Sequence, residues 1–223
     1  LLELPIAAAP HRREDGVVPA VLPVTRKLEI AFAERARQLP AASLAVLTVA
    51  ALDEGANLPE ILAAASILLG SETTVAALQP AIEMRLVAVD GWTLTFRHSL
   101  VRSAIHRLAG VEERRAAHAA LATALAGDAD RAVWHEAASL LSADERVAAR
   151  LEEAAARARR RGAVSTAVAW LELAAQLSPD AASQGSRLLS ATEVAFQLGR
   201  FALVDQLRRR VDHLALRPDD RVR

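Results

Sequence analysis

Cysteine and tyrosine are both absent from this 223-residue chain. Without cysteine there are no disulfides, no thiol catalysis and no thiolate metal site, and the composition fits a reducing compartment. Lysine occurs once, at Lys27, and the formal net charge at pH 7 is zero. This balance argues against general binding to nucleic acids or membrane surfaces, because such affinity rests on an excess of lysine and arginine.

Long apolar segments are also missing. No charge-free apolar run reaches the roughly 18 residues that a membrane-spanning helix needs, so we expect no membrane contact. Residues 1–23 lack the order of a signal peptide, and we therefore predict a cytoplasmic protein. The chain starts at Leu1 and its one methionine is Met84. From this we expect a piece of a longer protein.

Alanine and leucine dominate, and 52% of the residues are hydrophobic, which favours closely packed helices. Residues 1–23 contain four prolines and a charged cluster, and they predict a linker. Apolar residues at helical spacing then predict helices over about 24–39, 42–52, 58–69 and 73–85, the last kinked or started late by Pro80.

One short stretch predicts β structure. Residues 86–89 are apolar, Asp90-Gly91 can take the positive φ of a tight turn, and apolar and polar residues alternate over 92–96, with Trp92 on the apolar side. Helical spacing resumes directly afterwards, through His98. Helices followed by a hairpin and another helix are the order of a winged-helix module, which we expect to end near residue 110.

The rest of the sequence predicts helices alone, at about 112–126, 130–141, 143–161, 163–177, 183–198 and 200–215. Gly127, Gly162 and Gly199 are spaced by 35 and 37 residues and lie between these helices. This period predicts imperfect helix pairs of the tetratricopeptide type, the last pair fitting least well. We therefore predict a mainly α protein with a linker at 1–23, a winged-helix module with one β-hairpin at 24–110 and a tetratricopeptide-like α-helical array at 111–223.

Several stretches resemble the middle of LuxR-type, MalT-like ATP-dependent transcriptional regulators of the signal-transduction ATPase class. They are FRHSLVRSAIH at 96–106, ERRAAHAALATAL at 113–125, RAVWHEAA at 131–138 and ARARRRGAVSTAVAWLELAAQLSPD at 156–180. The opening LLELP is similar to the segment that follows the ATPase module in that family. The resemblance implies a fragment between the ATPase core and a C-terminal helix-turn-helix.

In such a protein, ATP or ADP binding, ATP hydrolysis and DNA binding belong to the parent chain. This fragment has no glycine-rich run before Lys27, so it lacks a phosphate loop, and we expect no enzyme activity and no cofactor in it. The expected partners are the ATPase module and the LuxR-type DNA-binding domain of the same chain. The inducer or partner protein has no signature in the sequence, and homo-oligomer formation is left open.

The resemblance also implies a contact with nucleotide phosphates at His98, with Arg97 and Arg102. In the family, a winged-helix histidine near this position approaches bound ADP and holds the inactive state. An imidazole can donate to an anion, and guanidinium groups add charge-assisted bonds. Members usually carry proline where this chain has Ser99, which can cap the helix instead. The alternative is that His98 only caps or packs at the strand-to-helix junction.

The sequence gives weaker support for a functional site at two other groups of residues. Arg157, Arg160 and Arg161 form a basic run that suits a partner surface or, alternatively, a solvated helix face paired with glutamates. A metal site at His106, His118 and His135 is disfavoured, since no pair has the i, i+4 spacing with a nearby carboxylate. We expect instead that His135 packs between helices with its ring nitrogens bonded. No residue has the sequence context of a catalytic nucleophile.

The predicted function is therefore regulatory: the fragment couples ligand or partner binding to the nucleotide-dependent switch of the missing ATPase module. One alternative is a self-standing helical protein–protein interaction adaptor. Another is a winged helix that binds DNA directly. The second is disfavoured because residues 40–83 contain no lysine or arginine but five acidic residues, which would repel phosphates.

Overall fold

The computed structural model describes residues 24–53 and 55–215. The linker predicted for residues 1–23 lies outside this part of the chain. Helix makes up 74% of the described residues, which form eleven α-helices and one two-stranded antiparallel hairpin, and this confirms the mainly α prediction. No helix in the described ranges has the length and apolar character needed to cross a membrane.

The first part of the chain forms five α-helices around the hairpin. They are α1 (Val24–Arg37), α2 (Ala41–Leu52), α3 (Leu58–Leu69), α4 (Gln79–Glu83) and α5 (Ser99–Leu108), with a 3₁₀ turn (Val75–Leu78) directly before α4. The helix predicted over 73–85 is therefore shorter and divided. Pro80 lies in the first turn of α4, where its missing N–H leaves no hydrogen bond unmade.

The hairpin joins β1 (Val87–Asp90) to β2 (Thr93–Phe96). Asp90 pairs with Thr93, so the two turn residues are Gly91 and Trp92, and the predicted turn at Asp90-Gly91 is wrong by one residue. Of these two turn residues, only Gly91 has a positive φ, of 54°. Trp92 is 76% exposed at the tip, because the turn removes it from the alternation that buries Leu94.

The segment just before α3 pairs with the β2 side of this hairpin. Asn57 forms an isolated antiparallel bridge with Thr93. The Leu58 N–H donates to the Trp92 carbonyl at 2.8 Å, and the Leu94 N–H donates to the Ala56 carbonyl at 3.0 Å. The Asn57 side chain also caps α3, since it accepts from the Glu60 N–H at 3.1 Å. The hairpin is thus bonded to the start of α3.

Six further helices follow: α6 (Val111–Ala124), α7 (Ala129–Ser139), α8 (Glu145–Arg160), α9 (Val164–Gln176), α10 (Ala181–Gln197) and α11 (Phe201–Ala215). Each packs against the next along the chain. Aspartate side chains at 128, 144 and 180 cap α7, α8 and α10. Gly162 and Gly199 have φ of 81° and 67°, in the left-handed region where glycine avoids the penalty of a side chain.

Buried side chains form three clusters. The largest gathers α1 to α5 and the hairpin, and it continues into α6 through Ala117, Ala120 and Leu121. The other two lie between α7, α8 and α9 and between α8, α9, α10 and α11. The division predicted at residue 110 stays a prediction, and α6 packs against both α2 and α3 as well as α7.

One buried arginine also fastens α10 to α8. The Arg187 side chain is 6% exposed, and its guanidinium donates to Glu145 at 2.6 Å, to Glu152 at 2.8 Å and to the Ser178 hydroxyl at 2.6 Å. The hydrogen bond to Glu145 and, against the opposing effect of burial, the one to Glu152 raise the pKa of Arg187. Ion pairs from a buried arginine therefore join α10 to α8, in addition to the alanine and leucine core.

Candidate functional site

His98 lies at the junction between β2 and α5, as predicted, and it caps the helix. Its Nδ1 accepts the backbone N–H of Leu100 at 3.0 Å, while its ring lies 6.1 Å from the ring of Phe32, centroid to centroid. Because Nδ1 is the acceptor, the ring proton of the neutral imidazole sits on Nε2. His98 is exposed, so Nε2 is available as a donor toward solvent.

The two arginines predicted to accompany His98 have different environments. Arg97 is exposed, and its backbone N–H donates to the Leu86 carbonyl at 3.0 Å. Arg102 is half-buried on α5, and its guanidinium donates to the carbonyls of Ala51, at 3.0 Å, and Asp53. These carbonyls end α2, where a cation also interacts favourably with the helix dipole. Arg102 therefore holds α2 against α5.

A cavity of about 340 Å³ opens beside this contact. It is formed by the end of α2, the start of α3, β2 and the first turn of α5. Its polar lining comes from Asp53, Thr95, Ser99 and Arg102, and the remainder is apolar. Arg102 thus borders the cavity, whereas Arg97 and His98 do not line it.

Most of the predicted basic run at the end of α8 forms ion pairs within the chain. Arg157 Nε donates to Asp130 Oδ1 at 2.8 Å, and Arg161 lies 3.0 Å from the other Asp130 oxygen. Burial alone would raise the pKa of Asp130, but the hydrogen bonds from Arg157 and Arg161 outweigh it and lower that pKa. Arg160 is exposed. The predicted partner surface therefore has two of its three arginines bound to α7, and it stays a prediction.

The sequence did not point to the ionic cluster between α2, α3 and α7. Arg131 Nη2 lies 2.8 Å from Asp53 Oδ1 and 2.9 Å from Glu60 Oε2, and the Asp53 side chain is 2% exposed. Asp53 also accepts from the Gly55 N–H at 3.1 Å. Burial would raise the pKa of Asp53, but bonds from His135 and Arg131 and the arginine charge together lower it to about 2.

Two histidines extend this cluster into α6 and α7. His118 Nδ1 and His135 Nδ1 are 2.9 Å apart, and His135 Nε2 lies 3.6 Å from Asp53 Oδ1. Both rings are buried, and Trp134 stacks edge-on against each of them, with centroids 5.4 Å and 4.6 Å away. The ring nitrogen of His135 is thus bonded to a side chain, as we expected.

In the described part of the chain, no group of three or more histidine and acidic side chains has an arrangement that suits a metal ion. The cluster is suited to binding a proton and to fixing α7 against α2.

A second depression lies between α10 and α11, with a volume of about 450 Å³. Phe196 lines this depression and is 62% exposed, and the ring of Phe201, which is 64% exposed, lies 6.0 Å from the Phe196 ring, centroid to centroid. Leu189 is 51% exposed nearby. Its lining residues are Leu189, Thr192, Glu193, Phe196, Gln197 and Val204.

Comparisons of this chain with protein families, with curated proteins and with solved structures found no match.

Proposed function

We propose that this chain is the arm-and-sensor part of a LuxR-type regulator of the signal-transduction ATPase class. Residues 24–110 act as a winged-helix arm, and residues 111–223 act as a tetratricopeptide-like sensor. The fragment does not hydrolyse ATP itself. It transmits the binding of an inducer or partner to an ATPase module elsewhere in the parent protein, with ADP-bound and released states as the two positions of the switch.

The order of the elements supports the winged-helix assignment. The single bridge at Asn57 comes between α2 and α3, and the 3₁₀ turn with α4 follows α3 and precedes the hairpin. This order agrees with three helices followed by a wing. The glycine turns at Gly162 and Gly199, which separate α8 from α9 and α10 from α11, support the repeat assignment in the same way.

The observation that carries the proposal is the shared packing of α6 and α7 with the hairpin-bearing half. Leu121 of α6 is fully buried in the same cluster as Leu47 of α2 and Ile61 of α3. Arg131 of α7 adds ion pairs to Asp53 and Glu60. A displacement of α6 and α7 by a bound inducer therefore moves the arm with them, which is what a sensor coupled to a switch requires.

The charge pattern argues against direct DNA reading. In helix-turn-helix modules the second helix of the pair enters the major groove, and base edges are read by arginine, lysine, asparagine or glutamine. The corresponding residues here, 75–83, contain no basic residue and end in Glu83. Glu60 and Glu72 add negative charge nearby, so approach to phosphates is unfavourable.

His98 can serve both as a helix cap and as a phosphate contact, because the two roles use different ring nitrogens. Nδ1 accepts from Leu100, which leaves the Nε2–H free to donate to an anion. The capping bond also fixes the ring orientation before any nucleotide binds. The nucleotide contact and the cap are therefore compatible within one side chain.

The test uses the complete reading frame, purified with its ATPase module, and measures ADP affinity. The informative variant is His98→Asn, because asparagine retains the helix cap but lacks a donor at the position of Nε2. A hydrogen bond to a charged group contributes about 1.5 to 3 kcal/mol, so we expect roughly 10- to 100-fold weaker ADP binding. Basal transcriptional activity should rise in parallel, since the inactive state loses a contact.

Arg209→Ala, on the exposed side of α11, is the matched control and should leave ADP affinity unchanged. If the His98→Asn variant and the wild type bind ADP with equal affinity, the proposed nucleotide contact is refuted. If the reading frame contains no ATPase module or DNA-binding domain, the whole proposal is refuted.

In that case the second candidate, a self-standing helical adaptor, stands. It is favoured by the exposed Phe196 and Phe201, since contiguous exposed apolar side chains mark interaction surfaces.

A further inference from the structure

The His118–His135 contact holds a single proton. Two Nδ1 atoms at 2.9 Å form a hydrogen bond only when one of them carries hydrogen and the other does not. His135 Nε2 faces the ionised Asp53, so it carries a proton and interacts with the carboxylate. One ring donates its Nδ1–H and the other accepts it. The charge of His135 is among the causes that lower the pKa of His118, so His118 takes up its second proton beside a charged His135. Both Nδ1 atoms then carry hydrogen, and the 2.9 Å contact cannot form.

We propose that this pair makes the junction of α2, α6 and α7 a proton-sensitive joint, which is closed while His118 is neutral and opens when His118 is protonated. The inference goes beyond the proposed function and does not depend on it. If the sensor proposal holds, the joint lies on the path between sensor and arm.

The charges around the pair disfavour an imidazolium at His118. The charges of His106 of α5 and Arg114 of α6 both act against a charged His118. The acidic groups near His135 are already bound by Arg131. The charged and titratable groups facing the cluster are His106 and Arg102 from α5, Arg114 from α6, Arg131 from α7, Glu60 from α3 and Asp53 from the end of α2.

The direction of the effect follows from the two protonation equilibria. Burial first, and then the charges of His135, His106 and Arg114, lower the pKa of His118 from 6.5 to about 4 in the closed joint. Opening exposes the ring and restores its ordinary pKa. The open form therefore binds the proton more tightly between pH 6.5 and pH 4, and acidification favours opening. Between pH 7 and pH 5 these pKa values predict a roughly 20-fold rise in the opening equilibrium.

Hydrogen exchange of the full chain at pH 7 and pH 5, corrected for the intrinsic pH dependence of exchange, measures this opening. We expect protection in α6, in α7 and at the end of α2 to fall about 10- to 20-fold at pH 5, whereas α10 and α11 change little. Asp53, whose pKa is lowered to about 2, stays ionised over this range. In the His118→Asn variant, the amide can donate to His135 Nδ1 but does not titrate, so the loss should nearly disappear.

His213→Asn is the control, because His213 is exposed on α11, and it should behave as the wild type does. The same loss of protection at pH 5 in His118→Asn and in the wild type overturns the proposal, as does an equal loss along α10 and α11. If His118→Asn does not fold, the His118 ring signal of the wild type is titrated by NMR. A midpoint near 4 then supports the joint, and a midpoint near 6.5 refutes it.

Discussion

Replacing Asp53 by asparagine tests the ionic cluster that holds α7 to α2. Asparagine has the same shape and still accepts the Gly55 N–H, but it loses the charge that pairs with Arg131. The fold lowers the pKa of Asp53 from 3.8 to about 2, and each pKa unit corresponds to about 1.4 kcal/mol. The charged form is therefore favoured in the folded protein by about 2.5 kcal/mol.

We expect Asp53→Asn to lower the free energy of unfolding by about 2 to 3 kcal/mol at pH 7. Glu60 stays beside the guanidinium of Arg131 and limits the loss. For a chain of this size the loss corresponds to a fall in Tm of roughly 5 to 10 °C. Arg131→Met should be more damaging, at about 3 to 5 kcal/mol, because it leaves Asp53 buried without its partner.

Urea unfolding followed by circular dichroism measures these differences, and the double variant completes a thermodynamic cycle. We expect a coupling energy of about 1 to 3 kcal/mol between Asp53 and Arg131. The pKa of Asp53 is lowered by folding, so its contribution is complete above pH 3.8 and is lost as the pH falls toward 2. Wild type and Asp53→Asn should therefore converge in stability at the acid end of this range.

The matched control is Glu112→Gln, which removes a pair with Arg115 in which the glutamate is 78% exposed. Exposed pairs contribute about 0 to 1 kcal/mol, so we expect a small change in this variant. The reasoning is refuted if Asp53→Asn is no more destabilising than Glu112→Gln, or if the wild type and Asp53→Asn differ equally at pH 7 and pH 2.

Three further predictions concern single residues. Arg187→Met should lower the free energy of unfolding by about 2 to 4 kcal/mol and increase hydrogen exchange in α10, because two glutamates of α8 lose their shared cation. Gly162→Ala should lower the free energy of unfolding in urea by about 1 to 2 kcal/mol, because Gly162 has a φ of 81°. Gly185→Ala should raise it by about 0.5 to 1 kcal/mol, because Gly185 lies in the interior of α10 with open space beside it. Trp92→Ser should change stability by less than about 0.5 kcal/mol, because the side chain is 76% exposed, and differential scanning calorimetry checks this.

Much of the local structure followed from the sequence. The helices of the second half were predicted to within a few residues, since apolar spacing gives each helix its period and glycine, proline or aspartate marks its ends. The hairpin was also predicted in place. Its turn was displaced by one residue because Asp90 and Gly91 both suit a turn, and only strand register decides which pair occupies it. That one-residue shift is what moved Trp92 from the core to the tip.

The sequence predicted the position of His98 but not the contacts of Arg102. His98 caps α5, because a residue just before a helix has few other ways to satisfy the free N–H groups, and its contact with a nucleotide stays a prediction. The sequence did not predict that the guanidinium of Arg102 donates to the carbonyls that end α2, 49 and 51 residues earlier in the chain. The phosphate contact of Arg102 stays a prediction. Nothing in the local pattern distinguishes an arginine that points to solvent from one that closes a neighbouring helix.

The amino-acid sequence by itself determined where the helices, the turns and the single hairpin form, because these depend on period, propensity and caps within a few residues. The tertiary structure alone decided which charges meet. Asp53 and Arg131 are 78 residues apart, and His118 and His135 come from separate helices. Their pairing follows from the way α6 and α7 pack against α2 and α3, and once they are buried, hydrogen bonds and neighbouring charges set their protonation.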